Sequence, residues 1–168
     1  QSFHFDQSSP TQVTIPRDTC METDAFSIAF KINNEVIFHG SATTYITFLS
    51  KSSWTNKTGF LLMGHSSGEL IFRTYDGTNW GWMNREISFP FVIASEWTDM
   101  VITCNPTHMK LYLNGTLIRE LATSGSILHS LTNDLAIGPS FNGLIDDVTY
   151  YASDLSDRQV EWLHFNCQ

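Results

Sequence analysis

The sequence predicts an all-β chain: two antiparallel sheets packed as a sandwich, with one short helix near the C-terminus. Three observations lead there. The stretch Glu96–Ile118 holds two alternating apolar runs, Met100-Ile102-Cys104 and Leu111-Leu113 with Leu117 beyond a turn. Period-two alternation marks strands with one buried and one wet face. Between the runs stands Asn105-Pro106-Thr107, where Pro fixes φ and Asn can bond its own backbone, and after them Asn114-Gly115, the strongest short hairpin signal. Apolar residues make up 42% and aromatics 13% against only 15% charged, a composition of short strands and polar, uncharged turns.

At 168 residues the chain fits one domain over 1–168, with no linker, repeat or low-complexity tract, and is long enough to bury about two-thirds of its unfolded surface. Residues 1–16 read as an edge strand pair broken at Ser8-Ser9-Pro10, and Arg17–Asp24 as a loop. Phe26–Ile32 is a strand with Phe26, Ile28, Phe30 and Ile32 facing inward. Val36–His39 and Tyr45–Ser50 are short strands, and Ser52–Thr58 is a polar loop containing Trp54. Phe60–Met63 and Glu69–Tyr75 pair across Gly64–Gly68; the turn Asp76–Asn79 leads into Trp80–Ser88. After Pro90 comes a three-stranded meander, then Leu135–Gly138 and the closing strand Leu144–Tyr151. Only Ser156–Phe165 has helical form, with Ser156 as N-cap and Leu155, Val160 and Leu163 available to pack on the sandwich.

Several segments carry a family resemblance. Trp97-x-x-Met100-x-Ile102 followed by Leu111-Tyr112-Leu113-Asn114-Gly115 resembles the central hairpin of laminin G-like, concanavalin A-like jelly rolls. Phe5, Asp6, Val13, Ile15 and Pro16 are similar to the opening strand of that family, Phe26–Ile32 to its next core strand, and Phe141–Tyr150 with Leu155–Val160 to its closing strand and helix. The resemblance covers nearly the whole chain and implies a two-sheet jelly roll. The family uses this fold for many tasks, so function must be argued from sites.

The net charge of −8 argues against nucleic acid and anionic membrane surfaces as partners, and no run of 18 apolar residues offers a membrane span. The N-terminus lacks a basic and then apolar leader, as expected either of a chain that is not exported or of a mature or excised module. Export is favoured by two glycosylation sequons in predicted loops, Asn56-Lys57-Thr58 and Asn114-Gly115-Thr116. Because first and last strands are neighbours in a jelly roll, the resemblance also brings Cys20 and Cys167 within reach of a disulfide. That bridge would stabilise by roughly 4–5 kcal/mol in the chain-entropy model, leaving Cys104 as a core thiol. The alternative is a reduced pair in a cytosolic protein.

Enzymatic motifs are weak. Gly64-His65-Ser66-Ser67-Gly68 fits a nucleophile elbow by pattern, but a strand rather than a helix follows, which makes it a hairpin turn. The glycosidases that this chain resembles space acids E-x-D-x-x-E along one strand; only Glu22-Thr23-Asp24 begins that pattern. The six histidines show no zinc spacing. Asp146 shares parity with Leu144, Val148 and Tyr150, so it is expected to point with them and to need a partner. In similar domains an acid there helps hold Ca²⁺, and Asp6 or Asp24 could contribute; an Asp accepting backbone N–H groups is the other reading. Trp54, Tyr75, Trp80 and Trp82 stand outside the core pattern, and Trp80 and Trp82 share parity with Asn84 and Glu86. On a wet face these residues form a sugar platform, two indoles for stacking and polar groups for hydroxyls; on an inward face the tryptophans are core. The sequence thus points to a non-catalytic extracellular or cell-surface recognition module with a glycan ligand (lectin-like). A protein-binding adhesion module is the alternative, and a glycoside hydrolase or polysaccharide lyase a weaker one.

Overall fold

In a computed structural model, residues 2–5, 12–34, 45–77, 85–90 and 96–166 are described. The expectations at Asp6, Trp80, Trp82, Asn84, Cys167 and the strand Val36–His39 lie outside them. Twelve strands and one α-helix are present among the described residues: β1 Phe3–Phe5, β2 Val13–Ile15, β3 Phe26–Asn34, β4 Tyr45–Ser53, β5 Thr58–His65, β6 Glu69–Thr74, β7 Glu86–Pro90, β8 Thr98–Cys104, β9 His108–Leu113, β10 Thr116–Ala122, β11 Leu135–Ile137, β12 Gly143–Tyr151 and α1 Asp157–Asn166. They form two six-stranded sheets, β1-β12-β3-β8-β9-β10 and β2-β11-β4-β5-β6-β7. The jelly-roll sandwich with a C-terminal helix is therefore as expected. β1 and β2 are edge strands of different sheets rather than a pair: β1 closes on β12 and β2 on β11. No helix among the described residues is long and apolar enough to cross a membrane.

The core lies between the sheets. Phe26, Ile28, Phe30 and Ile32 of β3 all face inward and are buried, opposite Phe60, Leu62, Leu70 and Phe72 of the second sheet. Each such side chain, fully buried, contributes about 1.5–3 kcal/mol. Phe26 stacks on Tyr150 with ring centroids 5.5 Å apart and lies 5.3 Å from Phe60. The meander follows its sequence closely. Asn105 Oδ1 accepts from the backbone N–H groups of Thr107 and His108, closing the first turn. Asn114 (φ 48°) and Gly115 (φ 75°) form the second, with both central residues left-handed as a type I′ turn demands.

Two parities break, one at a turn and one at a bulge. The two-residue turn Asn114-Gly115 pairs Leu113 with Thr116 and hence Leu117 with the outward Tyr112, so Leu117 is exposed instead of sharing the core face of Leu111; a register shift follows between Leu117 and Arg119. In β12 the register shifts between Asp146 and Thr149, with Asp147 at φ 52°. Ile145 faces the core, and beyond the extra residue Val148 and Tyr150 return to it. Asp146 is left on the outer face opposite Lys31, not among the apolar residues where uninterrupted alternation would put it.

The outer face of the first sheet is not wet throughout, because α1 lies across it. Val160 seats against Val101 and Tyr112. The lead-in is fixed by Ser27, whose hydroxyl donates to Ser153 O and accepts from Leu155 N–H. Gln159 reaches back to accept from the Ser156 N–H and hydroxyl, the return half of a capping box at the expected N-cap, while Gln159 N–H donates to the Ser156 carbonyl. Asp157 then accepts from Lys110 Nζ (2.8 Å) and Tyr112 OH (2.7 Å). At the far end His164 Nδ1 lies 2.5 Å from Asp99 Oδ2.

Cys20, one half of the expected Cys20–Cys167 bridge, carries a free, exposed thiol, and Cys104 a free, buried one; Cys167 lies outside the described residues.

Candidate functional site

Register alone maps the outer face of the second sheet. One row runs Ser50, Leu61, Arg73, Glu86; the next Thr47, Met63, Ile71, Ser88; the last Tyr45, His65, Glu69, Pro90. Beyond the first row the β4–β5 turn carries Trp54, and β6 runs on into Tyr75. Gly59 makes this corner possible. Its φ is +83°, and a Cβ there would fall 1.8 Å from Lys51 O, so only glycine lets β5 start this close to β4. Tyr75 N–H donates to Gly59 O, Gly77 N–H to Lys57 O, and Leu128 N–H to Tyr75 O. The start of the β6–β7 connection is thereby sewn to the β4–β5 turn.

The result is a platform at one end of the sheet. Trp54 is 60% exposed, and its indole meets the Tyr75 ring edge-on with centroids 6.4 Å apart. Lys57 Nζ sits 3.5 Å from the indole centroid, and the Arg73 guanidinium 6.0 Å from it. Both are cation–π approaches that fix the ring's tilt. Arg73 is buried and forms a charge pair with Glu86, Nε to Oε2 at 2.7 Å. Three residues of the expected ligand set, Trp54, Tyr75 and Glu86, therefore do converge. Their roles differ from expectation: Tyr75 is only 1% exposed and supports Trp54 from beneath instead of offering a face to a ligand. Lys57 and Arg73 belong to the platform as well. Sequence reading missed them, although opposite charges facing each other on two hairpin arms were a usable sign of the Arg73–Glu86 pair.

The base of the platform is held by Arg85, which is fully buried. Its guanidinium donates to Thr74 Oγ1 (2.8 Å), Ser124 O (3.1 Å), Gly125 O (2.7 Å) and Asn105 O (3.3 Å). Five donors in a fixed fork suit such a task, and a lysine could not reproduce it. Lys51 plays a similar part nearby. It faces inward opposite Phe60 and donates to Ser130 O (3.0 Å) and Asn133 O (3.2 Å). Burial pulls its ammonium below the usual lysine range.

Among the described residues, the remaining candidates lie apart from one another. Gly64–Gly68 is a hairpin turn between β5 and β6, with Gly68 N–H donating to His65 O, so the elbow pattern is a turn as expected. Glu22 is tied to Arg17 at 2.6 Å, which holds its carboxyl below the usual range. Asp24 accepts from Ile127 N–H and lies 3.6 Å from His129. Asp24 precedes Phe26, whereas Asp146 pairs with Lys31 at the other end of β3, so the two do not share one cation site. Asp146 Oδ1 accepts from Asp147 N–H. Among the described residues no group of three or more His, Cys, Asp or Glu could hold a metal ion. Both sequon asparagines, Asn56 and Asn114, stand exposed in turns.

A second concavity lies on the opposite outer face, between α1 and β12. It has a volume of about 330 Å³ and is lined by Ala29, Val101, Val160, Leu163 and Tyr151, with Lys31, Asp99 and His164 at its inner end. Burial works against the Asp99 charge, yet hydrogen bonds from His164 and Lys31 outweigh it and hold the carboxyl below its usual range.

Comparison with known proteins agrees with this architecture. The binding domain of botulinum neurotoxin DC in complex with rat synaptotagmin II superposes with a TM-score of 0.75 at 19% identity, over 94% of this chain and 40% of that one. The same binding domain in complex with SialylT gives 0.71 at 20% identity, over 94% and 39%. A structure from work on cell entry of botulinum neurotoxin type C, described as dependent on interaction with two ganglioside molecules, gives 0.70 at 19%, over 94% and 40%. At such identities the likeness is one of fold, and this chain spans about 40% of the length of those proteins. No curated protein sequence matches the chain. Residues 7–161 match the Concanavalin A-like lectin/glucanases superfamily, and with that match over nearly its whole length the chain belongs to that family.

Proposed function

We propose that the domain is a non-catalytic recognition module, extracellular or at the cell surface, that binds glycan on the outer face of its second sheet. The observation that carries this reading is Trp54, an exposed indole held in a fixed tilt by Tyr75 beneath it and by Lys57 and Arg73 beside it. A rigid aromatic face stacks on pyranose C–H groups, and the neighbouring guanidinium, carboxylate and ammonium supply both hydrogen-bond senses for hydroxyls. Trp80, Trp82 and Asn84 follow soon after Gly77 in the sequence, and Gly77 N–H donates to Lys57 O at the edge of this platform. The relatives of like fold that engage ganglioside, SialylT or synaptotagmin II support binding as the task. A non-catalytic reading is supported by the acids of the second sheet's outer face: Glu86 is paired with Arg73, and Glu69 accepts from Ser67. The exposed sequons Asn56 and Asn114 support an extracellular setting.

A glycan array probed with the purified domain, with and without calcium, tests this. Binding to a defined set of glycans that disappears in Trp54→Ala at unchanged melting temperature is expected. A well-folded sample that binds nothing in either condition overturns the glycan reading.

A further inference from the structure

α1 crosses the first sheet off-centre. Val160 packs on Val101 and Tyr112, and Ala29 packs against the same cluster while lining the cleft on its other side, beside its cross-strand neighbour Thr149. Because Ala29 is small, a cleft remains between helix and β12: the 330 Å³ cavity, continued by a second of about 350 Å³ through the shared walls Tyr151 and Leu163. Apolar side chains stand exposed around it. Trp162 lines the outer part, Phe165 follows His164 at the inner end, and Trp97 precedes Asp99 by two residues. Exposed aromatics of this density beside a pocket are the anatomy of a protein interface centre.

Charge selects the kind of partner. Lys31 and His164 both converge on Asp99, so the inner end is internally neutralised. The β12 bulge adds two further carboxylates. Asp147 is exposed at the cleft wall with φ 52°, and Asp146 stands beside it, opposite Lys31. Arg158 belongs to the far end of the cleft. The wall nearest Ala29 therefore carries unbalanced negative charge on a chain of net charge −8.

We infer that this cleft is a docking site for a protein partner that inserts one apolar side chain over Ala29 and sets an adjacent Lys or Arg against Asp147. The site is independent of the Trp54 platform, since the two lie on opposite outer faces of the sandwich.

The test is selection of a phage-displayed random peptide library on the immobilised domain, followed by fluorescence anisotropy of the enriched peptides. Enriched sequences should pair an aliphatic or aromatic residue with a neighbouring Lys or Arg. Binding should fall by about tenfold or more in Ala29→Phe, which fills the floor, and in Asp147→Asn. It should fall equally when the basic residue of the peptide is replaced by Gln. Should Ala29→Phe melt far below the parent, the exposed Trp162→Ala takes its place and must also weaken binding. No enriched sequence, or peptides that bind parent and variants alike, overturns the inference. So does a concentration-dependent dimer that Ala29→Phe abolishes, because a second copy would then be the occupant.

Discussion

His164 Nδ1 lies 2.5 Å from Asp99 Oδ2, which ties the last turn of α1 to the first residues of β8. The helix is held at both ends by carboxylates, Asp99 here and Asp157 at its start.

Acid should therefore release α1 before it unfolds the sandwich. The carboxyls of Asp99 and Asp157 are both held below their usual range, Asp157 by hydrogen bonds from Lys110 and then Tyr112. A depressed folded-state pKa contributes stability that is present above the unfolded value, about 3.9, and is lost as pH falls through the lower folded one. Amide exchange of residues 157–166 should rise between about pH 4 and pH 2 while that of β3 does not. Asp99→Asn should cost about 1–3 kcal/mol at neutral pH and flatten the acid limb. Uniform exchange of helix and sheet with falling pH would contradict this.

Gly115→Val should destabilise the domain by more than about 1 kcal/mol. The position has φ +75°, and its Cβ would lie 3.1 Å from that of His164. A β-branched residue resists that φ, and the close contact falls on the helix end. Urea unfolding at equal m-value is the measurement, and an unchanged midpoint would refute it.

Tyr75 and Trp54 should separate cleanly. Tyr75→Ala should cost about 3–5 kcal/mol, as expected of a buried ring. Trp54→Ala should move stability by only about 0.5 kcal/mol while removing glycan binding. If the two variants melt alike, the division into support and contact surface is wrong.

Alkylation should discriminate the thiols. Burial pushes the Cys104 thiol up to about 12, whereas Cys20 is exposed. Iodoacetamide should label Cys20 in the native protein and Cys104 only after denaturant is added, read by peptide mass.

Arg85→Lys should not restore the parent's stability. One ammonium cannot span Thr74, Ser124, Gly125 and Asn105, so several of these bonds are lost, and the cost should be about 1–3 kcal/mol in all. A melting temperature equal to the parent's would show that water replaces the fork.

The local signals of the sequence carried through wherever structure is local. Asn114-Gly115 forms its turn, Ser156 caps its helix, and β3 buries every second residue as its alternation implies. Failures fell where one residue changes the count. The bulge at Asp147 has no marker in the sequence, because Asp is merely tolerant of φ > 0, and it reverses the facing of Asp146 relative to Val148 and Tyr150. The candidate site was half legible. Trp54, Tyr75 and Glu86 were grouped by composition, but which of them meets solvent depends on bonds from Gly59 and Leu128, distant in sequence. The burial of Arg85 was hidden for the same reason: three of its acceptors are carbonyls, and every residue has one.

The Arg85 fork also bears on the order in which the fold is completed. Its acceptors come from β6, from the turn after β8 and from the segment after β10, so it can close only when both sheets have met. Contacts so far apart in sequence are made late in a sandwich that already folds slowly. Weakening the fork should therefore leave the refolding rate almost unchanged and hasten unfolding instead. Arg85 acts as a kinetic latch, setting how long the corner beneath Trp54 survives once formed.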